Sequence, residues 1–263
     1  HTLFYASIAS IMIAIIPTYN YMGVLATIIF IILRSLQGFA LGGEYTTAGT
    51  LLMDEFPKNK SFISGILGAS GTIGSLMAFS FASLYCQFFK DTDIWRLFFL
   101  FGGIATYYSS YLRKHHLSVS QKFSVANHLK VEKIAIYRTL ALGAVTSVSC
   151  FIPMVYSHFY LTQILKMPVG LRATFISLVV YILITPLVGY VSDRIKFDKY
   201  VSVSFVISLP LAIGGFYFLQ KGLLIGQVFL TLTACIVGAN IHVLMNQMFP
   251  LKSRSRYINF YFT

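Results

Sequence analysis

Apolar runs of about 20 residues or more recur along this chain, and they constrain its fold more than any other feature. A run of that length crosses a bilayer as a helix, because a helix pairs its backbone polar groups internally. The sequence lacks the alternation of polar and apolar residues that indicates membrane strands. With 57% hydrophobic and 11% charged residues, the chain is predicted to be an all-α polytopic membrane protein.

Eight membrane spans are predicted from these runs. They cover approximately residues 1–17, 22–53, 62–89, 94–112, 134–165, 172–191, 201–219 and 223–248. A polar, basic stretch over residues 113–133 separates the fourth span from the fifth.

The basic residues are distributed unevenly between the two sides of the predicted membrane. Of the 20 Lys and Arg residues, Arg34 lies within a span and fourteen fall on alternate loops or helix ends. The remaining five are Lys90, Arg96, Lys166, Arg172 and Lys221. Since cytoplasmic loops carry the excess of Lys and Arg, both ends of the chain are predicted to be cytoplasmic. The net charge of +12 thus reflects membrane orientation, and no nucleic acid partner is expected.

Two charged residues, Arg34 and Glu44, lie inside the second predicted span. A charge at membrane depth costs several kcal/mol, so such residues normally face a protein interior or a wet cavity. Ten residues of helix rise about 15 Å and place Glu44 about 80° round from Arg34, with Gln37 in the same sector. The stripe predicts a solute or proton pathway formed by Arg34, Gln37 and Glu44. The alternative is that neighbouring carbonyls and amides pair with the charges in a structural role.

The same span carries an ordered motif. Its residues are Arg34, Leu36, Gln37, Gly38, Gly42, Gly43 and Glu44, followed by Glu55, Phe56 and Pro57. The motif closely resembles the fourth helix of the metabolite:proton symporter branch of the major facilitator superfamily. Carriers of proline/betaine, shikimate, citrate and 2-oxoglutarate belong to that branch.

This resemblance implies a fold of twelve helices in two pseudo-symmetric bundles, of which about eight helices are present. Residues 1–112 would form an N-terminal bundle of helices 3–6, and residues 134–263 a C-terminal bundle of helices 7–10 and the start of 11. Residues 113–133 would be the cytoplasmic linker between them. The chain is therefore expected to be a fragment that lacks the first two helices and the last one to two. Another chain could supply the missing helices.

Further site residues follow from the same resemblance. The family's central cavity is formed by helices 1, 4, 7 and 10, so Tyr156, Asn240 and His242 are cavity candidates. For Tyr156 the alternative is an aromatic-rich outer helix end near the lipid headgroups. Gly189, Asp193 and Arg194 resemble the superfamily's loop signature, in which the acid and the base brace neighbouring helix ends. Phe56-Pro57 recurs as Phe249-Pro250, which fits two homologous halves.

The function implied is secondary active transport: solute:proton symport of a small zwitterionic or anionic metabolite across a bacterial-type inner membrane. A proline- or betaine-like solute is favoured, and a dicarboxylate or tricarboxylate is the next candidate. Two further alternatives are a non-transporting remnant of such a carrier and a membrane enzyme. No nucleophile elbow, HExxH or paired cysteines support the enzyme. The expected partners are the bilayer and the solute, with a proton as coupling ion and no cofactor.

No metal site is expected from the sequence. His115 and His116 are adjacent in the polar stretch without a third ligand nearby, and they indicate a solvated loop. Cys86, Cys150 and Cys235 are scattered singly through apolar runs, as is typical of small buried residues.

Overall fold

The structure, a computed structural model, describes residues 2–88, 93–116, 133–167 and 169–248, and the regular elements in these ranges are all helical. The helices are α1 (Thr2–Ile15), α2 (Tyr19–Met22), α3 (Val24–Glu55), α4 (Lys60–Phe88), α5 (Trp95–His116), α6 (Lys133–Phe151), α7 (Ser157–Phe159), α8 (Gly170–Ser192), α9 (Phe197–Gln220), α10 (Leu224–Gly238) and α11 (Ile241–Met248). The all-α prediction is confirmed.

Six of the described helical segments are long and apolar enough to cross a membrane, judged by length and composition. They are Val24–Leu41, Lys60–Phe88, Leu140–Ile164, Gly170–Ser192, Lys199–Gln220 and Leu224–Leu244. Thr2–Ile15 is apolar but shorter, and α5 is not among the six. The chain is thus a multi-pass membrane protein, although only six of the eight predicted spans meet both criteria.

The predicted span over residues 134–165 is not a continuous α-helix. Two π-helical turns, Ile152–Tyr156 and Tyr160–Ile164, flank the short helix α7. The first turn contains Pro153, which has no backbone N–H to donate and whose ring clashes with the preceding turn. A wider π turn accommodates such a residue within a helix.

The last predicted span is also interrupted, because α10 ends at Gly238 and α11 begins at Ile241. Both Ala239 and Asn240, which join them, are buried. Irregular backbone at membrane depth is tolerated where it lies inside protein. The break therefore places buried polar residues at the start of α11.

The chain divides into two compact units. Unit 1 comprises residues 1–48, 81–130 and 251–263, and unit 2 comprises residues 49–80 and 131–250. Most of α4, residues 60–80, therefore packs with the second half of the chain. Residues 117–132 of the predicted linker lie outside the described residues, and the division into bundles at 112 and 134 stays a prediction.

In unit 1, α1, α3 and α5 pack around the buried residues Ala9, Ile13 and Leu33. The Arg96 guanidinium, at the start of α5, donates hydrogen bonds to the carbonyls of Ala14 (3.2 Å) and Ile16 at the end of α1. A helix end leaves its last carbonyls without helical partners, and a cation there satisfies them. Arg96 thus fixes α1 against α5.

In unit 2, α4 and α8 approach each other so closely that only glycine fits between them. A Cβ at Gly65 would lie 2.7 Å from the Thr185 carbonyl oxygen, and one at Gly189 would lie 2.3 Å from that of Ser61. Small residues allow membrane helices to pack backbone against backbone. Glycine recurs at positions 65, 68, 71 and 74 of α4, but the close contact does not extend to the last of these, because nine residues of helix turn Gly74 about 180° away from Gly65. No atom lies within 4 Å of a Cβ at Gly74.

These two glycines on one helix give a matched test of the contact. We expect Gly65→Ala to destabilise the chain by about 1–3 kcal/mol, because the Thr185 and Pro186 backbone cannot move aside easily. Gly74→Ala is expected to be neutral or to gain up to about 1 kcal/mol from helix propensity. Thermal unfolding of both variants in detergent measures the difference. Equal stability of the two variants would contradict the α4–α8 contact.

Candidate functional site

Arg34 and Gln37 form a polar chain in unit 1. The Arg34 Nη1 donates to Gln37 Oε1 at 2.8 Å, and Gln37 Nε2 donates to Ser10 Oγ at 2.8 Å. The Arg34 guanidinium also lies 5.4 Å from the centre of the Phe99 ring. Arg34 itself is exposed, so the guanidinium is held in place on one side and accessible on the other.

Glu44 is the third member of the predicted stripe. The backbone at Glu44 is helical within α3, but its side chain lies outside the described part of the chain. The role predicted for Glu44 therefore rests on its position in the motif.

Asp193 follows α8 and binds the first turn of α4. Its two carboxylate oxygens accept hydrogen bonds from the backbone N–H groups of Ser61 (2.8 Å) and Phe62 (2.9 Å). These amides have no partner within their own helix, and the positive end of the helix favours a negative charge. The acid of the predicted loop motif thus caps a neighbouring helix, beside the close approach of Gly189 to Ser61.

Arg194 does not bind a second helix end directly. Its Nη2 donates to the Tyr190 hydroxyl, and its guanidinium lies 4.2 Å from the centre of the Tyr190 ring. The Tyr190 ring in turn packs edge-on against Phe62, with centroids 6.1 Å apart. Arg194 therefore reaches α4 only through an aromatic pair.

Asn240 and His242 are both buried near this end of unit 2. The Asn240 amide nitrogen donates to Ser192 Oγ at 2.8 Å, one residue before the capping acid. A Cβ at Gly49 on α3 would lie 2.9 Å from His242 Nδ1, so this helix contact also requires glycine. Both side chains therefore lie inside a packed contact between helices.

Tyr156 lies far from these two residues. Tyr156 belongs to the first π turn, and the Pro153 carbonyl of that turn lies 3.2 Å from Ser177 Oγ on α8. Asn240, in contrast, binds Ser192 at the end of α8. Fifteen residues of helix separate Ser177 from Ser192, which corresponds to about 22 Å. Tyr156 and Asn240 therefore lie at different levels along α8, and their place in one solute pathway stays a prediction.

Sequence reasoning missed a group of fully buried polar side chains in unit 2. Ser177, Gln227 and Thr231 are each fully buried and are hydrogen-bonded around the Pro153 carbonyl. The signal was available, since Gln227 and Thr231 are polar residues four apart in an apolar helix and so share a face. Within the described ranges, no three His, Cys, Asp or Glu residues are grouped to hold a metal ion.

Comparison with known proteins assigns the class. The model of the Major Facilitator Superfamily matches residues 2–263, so this chain belongs to that superfamily of membrane transporters. Membership of this superfamily gives no support to the membrane enzyme considered as an alternative.

Two relatives illustrate the similarity. A Staphylococcus aureus protein (strain MSSA476), named as a candidate proline/betaine transporter, is 27% identical over 222 residues, covering 75% of this chain and 47% of the relative. The shikimate transporter of Escherichia coli (strain K12) is 31% identical over 133 residues, covering 48% of this chain and 30% of the relative. The chain thus spans about half the length of the first relative and a smaller share of the second. No solved structure matches the chain.

The cap formed by Asp193 gives a second prediction. We expect Asp193→Ala to lower the free energy of unfolding by about 1–2 kcal/mol, because two amides of α4 lose their acceptor. Asp193→Asn keeps one acceptor oxygen without the charge and should lose less. Thermal unfolding and hydrogen exchange at the Ser61 and Phe62 amides measure the effect.

Asp93→Ala serves as the control for charge removal alone. Asp93 is 65% exposed and lies 3.7 Å from Arg96, so its loss should cost less than about 1 kcal/mol. Unchanged exchange at Ser61 and Phe62 in Asp193→Ala would refute the cap.

Proposed function

We propose that this chain is part of a solute:proton symporter for a small zwitterionic or anionic metabolite. The observation that carries the proposal is the polar chain Arg34–Gln37–Ser10 on otherwise apolar helices. A guanidinium held by an amide on one side keeps donors free for a solute carboxylate on the other. The similarity to proteins named for proline/betaine and shikimate supports a solute that carries a carboxylate.

Among such solutes, a betaine- or proline-like zwitterion is the favoured substrate. The relative named for proline/betaine aligns with 75% of this chain, against 48% for the relative named for shikimate. Dicarboxylates and tricarboxylates remain the second candidates, since Arg34 would bind them equally.

Proton coupling is assigned to Glu44. A carboxyl group in the same helix as Arg34 can exchange a proton as the site changes its exposure between the two sides of the membrane. Asp193 and Gly189 act away from the solute site, as a latch. The α4–α8 contact and its charged cap stabilise one arrangement of the helix ends, and they must separate in the other arrangement. The cytoplasmic placement of this latch and of both chain ends is part of the proposal.

Arg34 can be tested in a chimera in which this chain replaces the matching segment of the Staphylococcus aureus relative. We expect Arg34→Ala and Arg34→Lys to reduce the apparent affinity for labelled betaine about 10- to 100-fold, because lysine keeps the charge but loses the forked donors. Ser35→Ala, at the neighbouring exposed residue of α3, should leave uptake unchanged. Normal affinity in Arg34→Ala would exclude it from the solute site.

Glu44→Gln tests the coupling separately in the same chimera. We expect accumulation driven by a pH gradient to be abolished while exchange of labelled for unlabelled solute persists, because glutamine cannot carry the proton. Uptake and counterflow assays in proteoliposomes measure the two activities. Proton-driven accumulation that survives in this variant would remove Glu44 from the mechanism.

A further inference from the structure

Three exposed cations lie at the end of unit 2 that is farthest from Asp193. Lys166 follows the second π turn, Arg172 lies in the first turn of α8, and Lys221 follows α9. Twenty-one residues of helix separate Arg172 from Asp193, which corresponds to about 30 Å, the thickness of a bilayer core. We call Lys166, Arg172 and Lys221 the basic end. Neither the sequence motifs nor the proposed symport mechanism gives the basic end a role.

The three cations border the same packed apolar cluster. The residues one or two positions away from them in the sequence pack together there, namely Leu165, Ala173 and Leu219. The loops that carry the two lysines also touch, since a Cβ at Gly222 would lie 2.5 Å from the Cε of Met167. Packing beneath the cations therefore holds all three at one end of unit 2.

Within the described ranges of unit 2, the acidic residues all lie at the opposite end from these cations. They are Asp54, Glu55, Asp193 and Asp198. Asp54 and Glu55 end α3, shortly before the first turn of α4 that Asp193 caps. Asp198 lies in the first turn of α9, five residues after Asp193. Like charges without a counter-charge repel one another, so the basic end attracts anions.

Lys221 is folded back onto α9. Its Nζ donates to the Tyr217 hydroxyl at 2.6 Å and lies 4.2 Å from the centre of the Tyr217 ring. An ammonium group has three N–H donors, so two remain for another acceptor. Tyrosine at the end of a membrane span is typical of the level of the lipid head groups. The ammonium group of Lys221 is therefore held where a lipid phosphate would lie.

Lys166 adopts a backbone conformation that glycine usually supplies. Its φ is 52°, the only positive φ of a non-glycine residue in the described ranges. A side chain at that φ is disfavoured, because its Cβ approaches the following carbonyl oxygen. Residues held in such conformations cluster at functional sites. The charge at this position is thus present in spite of a conformational cost, which favours a role for the charge.

Exposed apolar residues adjoin the cations. Ile164, Leu171, Leu223 and Ile225 are each about half exposed, and they lie within a few residues of Lys166, Arg172 or Lys221. A ligand at the basic end therefore meets positive charge beside an apolar surface. A phospholipid uses both features, whereas a small soluble anion uses only the charge.

We propose that the basic end binds the head-group phosphate of an anionic phospholipid through Lys166, Arg172 and Lys221. Basic groups between membrane helices attract anionic head groups. Arg172 offers a forked pair of donors that matches phosphate, and the two lysines offer point charges. The acyl chains would lie against the exposed apolar residues beside the cations. The bound lipid would offset the repulsion among the three charges and join the second π turn to α8 and α9.

This site does not depend on the proposed symport, and its test needs no transport. The purified chain in detergent is titrated with fluorescent phosphatidylglycerol, which is anionic, and with fluorescent phosphatidylcholine, which is zwitterionic. We expect phosphatidylglycerol to bind at least about tenfold more tightly, because three cations meet its uncompensated charge. At about ten times its dissociation constant it should also raise the unfolding temperature by about 3 °C over phosphatidylcholine.

Lys166→Gly separates lipid binding from folding. It removes one of the three charges, so we expect the affinity for phosphatidylglycerol to fall about fivefold. It also places glycine at the positive φ, so the unfolding temperature without lipid should not fall. A lower lipid affinity without a loss of stability identifies the charge, and not the loop conformation, as the cause.

Two triple variants provide the matched comparison. The combined change of Lys166, Arg172 and Lys221 to glutamine should reduce the affinity for phosphatidylglycerol at least about tenfold. The control changes three exposed lysines at the opposite end of unit 2 to glutamine, namely Lys58, Lys196 and Lys199. The control removes the same net charge and should keep the affinity of the unmodified chain.

Three results would overturn the proposal, and two of them need no variant. The first is equal affinity of the unmodified chain for the two lipids. The second is full competition by soluble glycerol phosphate at the concentration of the lipid, which would make the basic end a site for a soluble anion. The third is an equal loss of affinity in the two triple variants, which would show a general effect of net charge.

Discussion

Close backbone contacts at glycine and hydrogen bonds between polar groups hold unit 2 together. Helices surrounded by lipid need such contacts, because they gain little from the hydrophobic effect when they associate. Helix α8 makes most of these contacts. It presents Gly189 and the Thr185 carbonyl to α4, Ser177 to the π turn and to α10, and Ser192 to Asn240. Beyond its end, Asp193 caps α4. Helix α8 therefore fixes the positions of the neighbouring helices in unit 2.

The proline in the first π turn explains why the polar residues gather where they do. Pro153 cannot donate a backbone hydrogen bond, and the π turn diverts the Ser157 N–H from the Pro153 carbonyl. A carbonyl in that position must find other donors, since an unsatisfied backbone group in an apolar medium is costly. Ser177 and Gln227 are polar in apolar helices for this reason.

The functional candidates divide between the two units. Unit 1 carries the arginine whose guanidinium contacts Gln37 and Phe99, and unit 2 carries the α4–α8 contact that is proposed as a latch. Asn240 and His242 lie near the end of α8 that precedes Asp193, and their place in the solute pathway stays a prediction.

The sequence by itself determined the class of the protein. Long apolar runs leave a chain no alternative to membrane helices, and the motif around Arg34 indicated the superfamily that the comparison then assigned. The resemblance of Gly189 and Asp193 to the superfamily's loop signature also implied that they act at a helix end. Only the tertiary structure decided which helix end they meet, that Tyr156 and Asn240 lie apart, and that Gln227 and Ser177 share one carbonyl. These facts depend on the register between helices distant in the chain, which the periodicity of each helix alone does not specify.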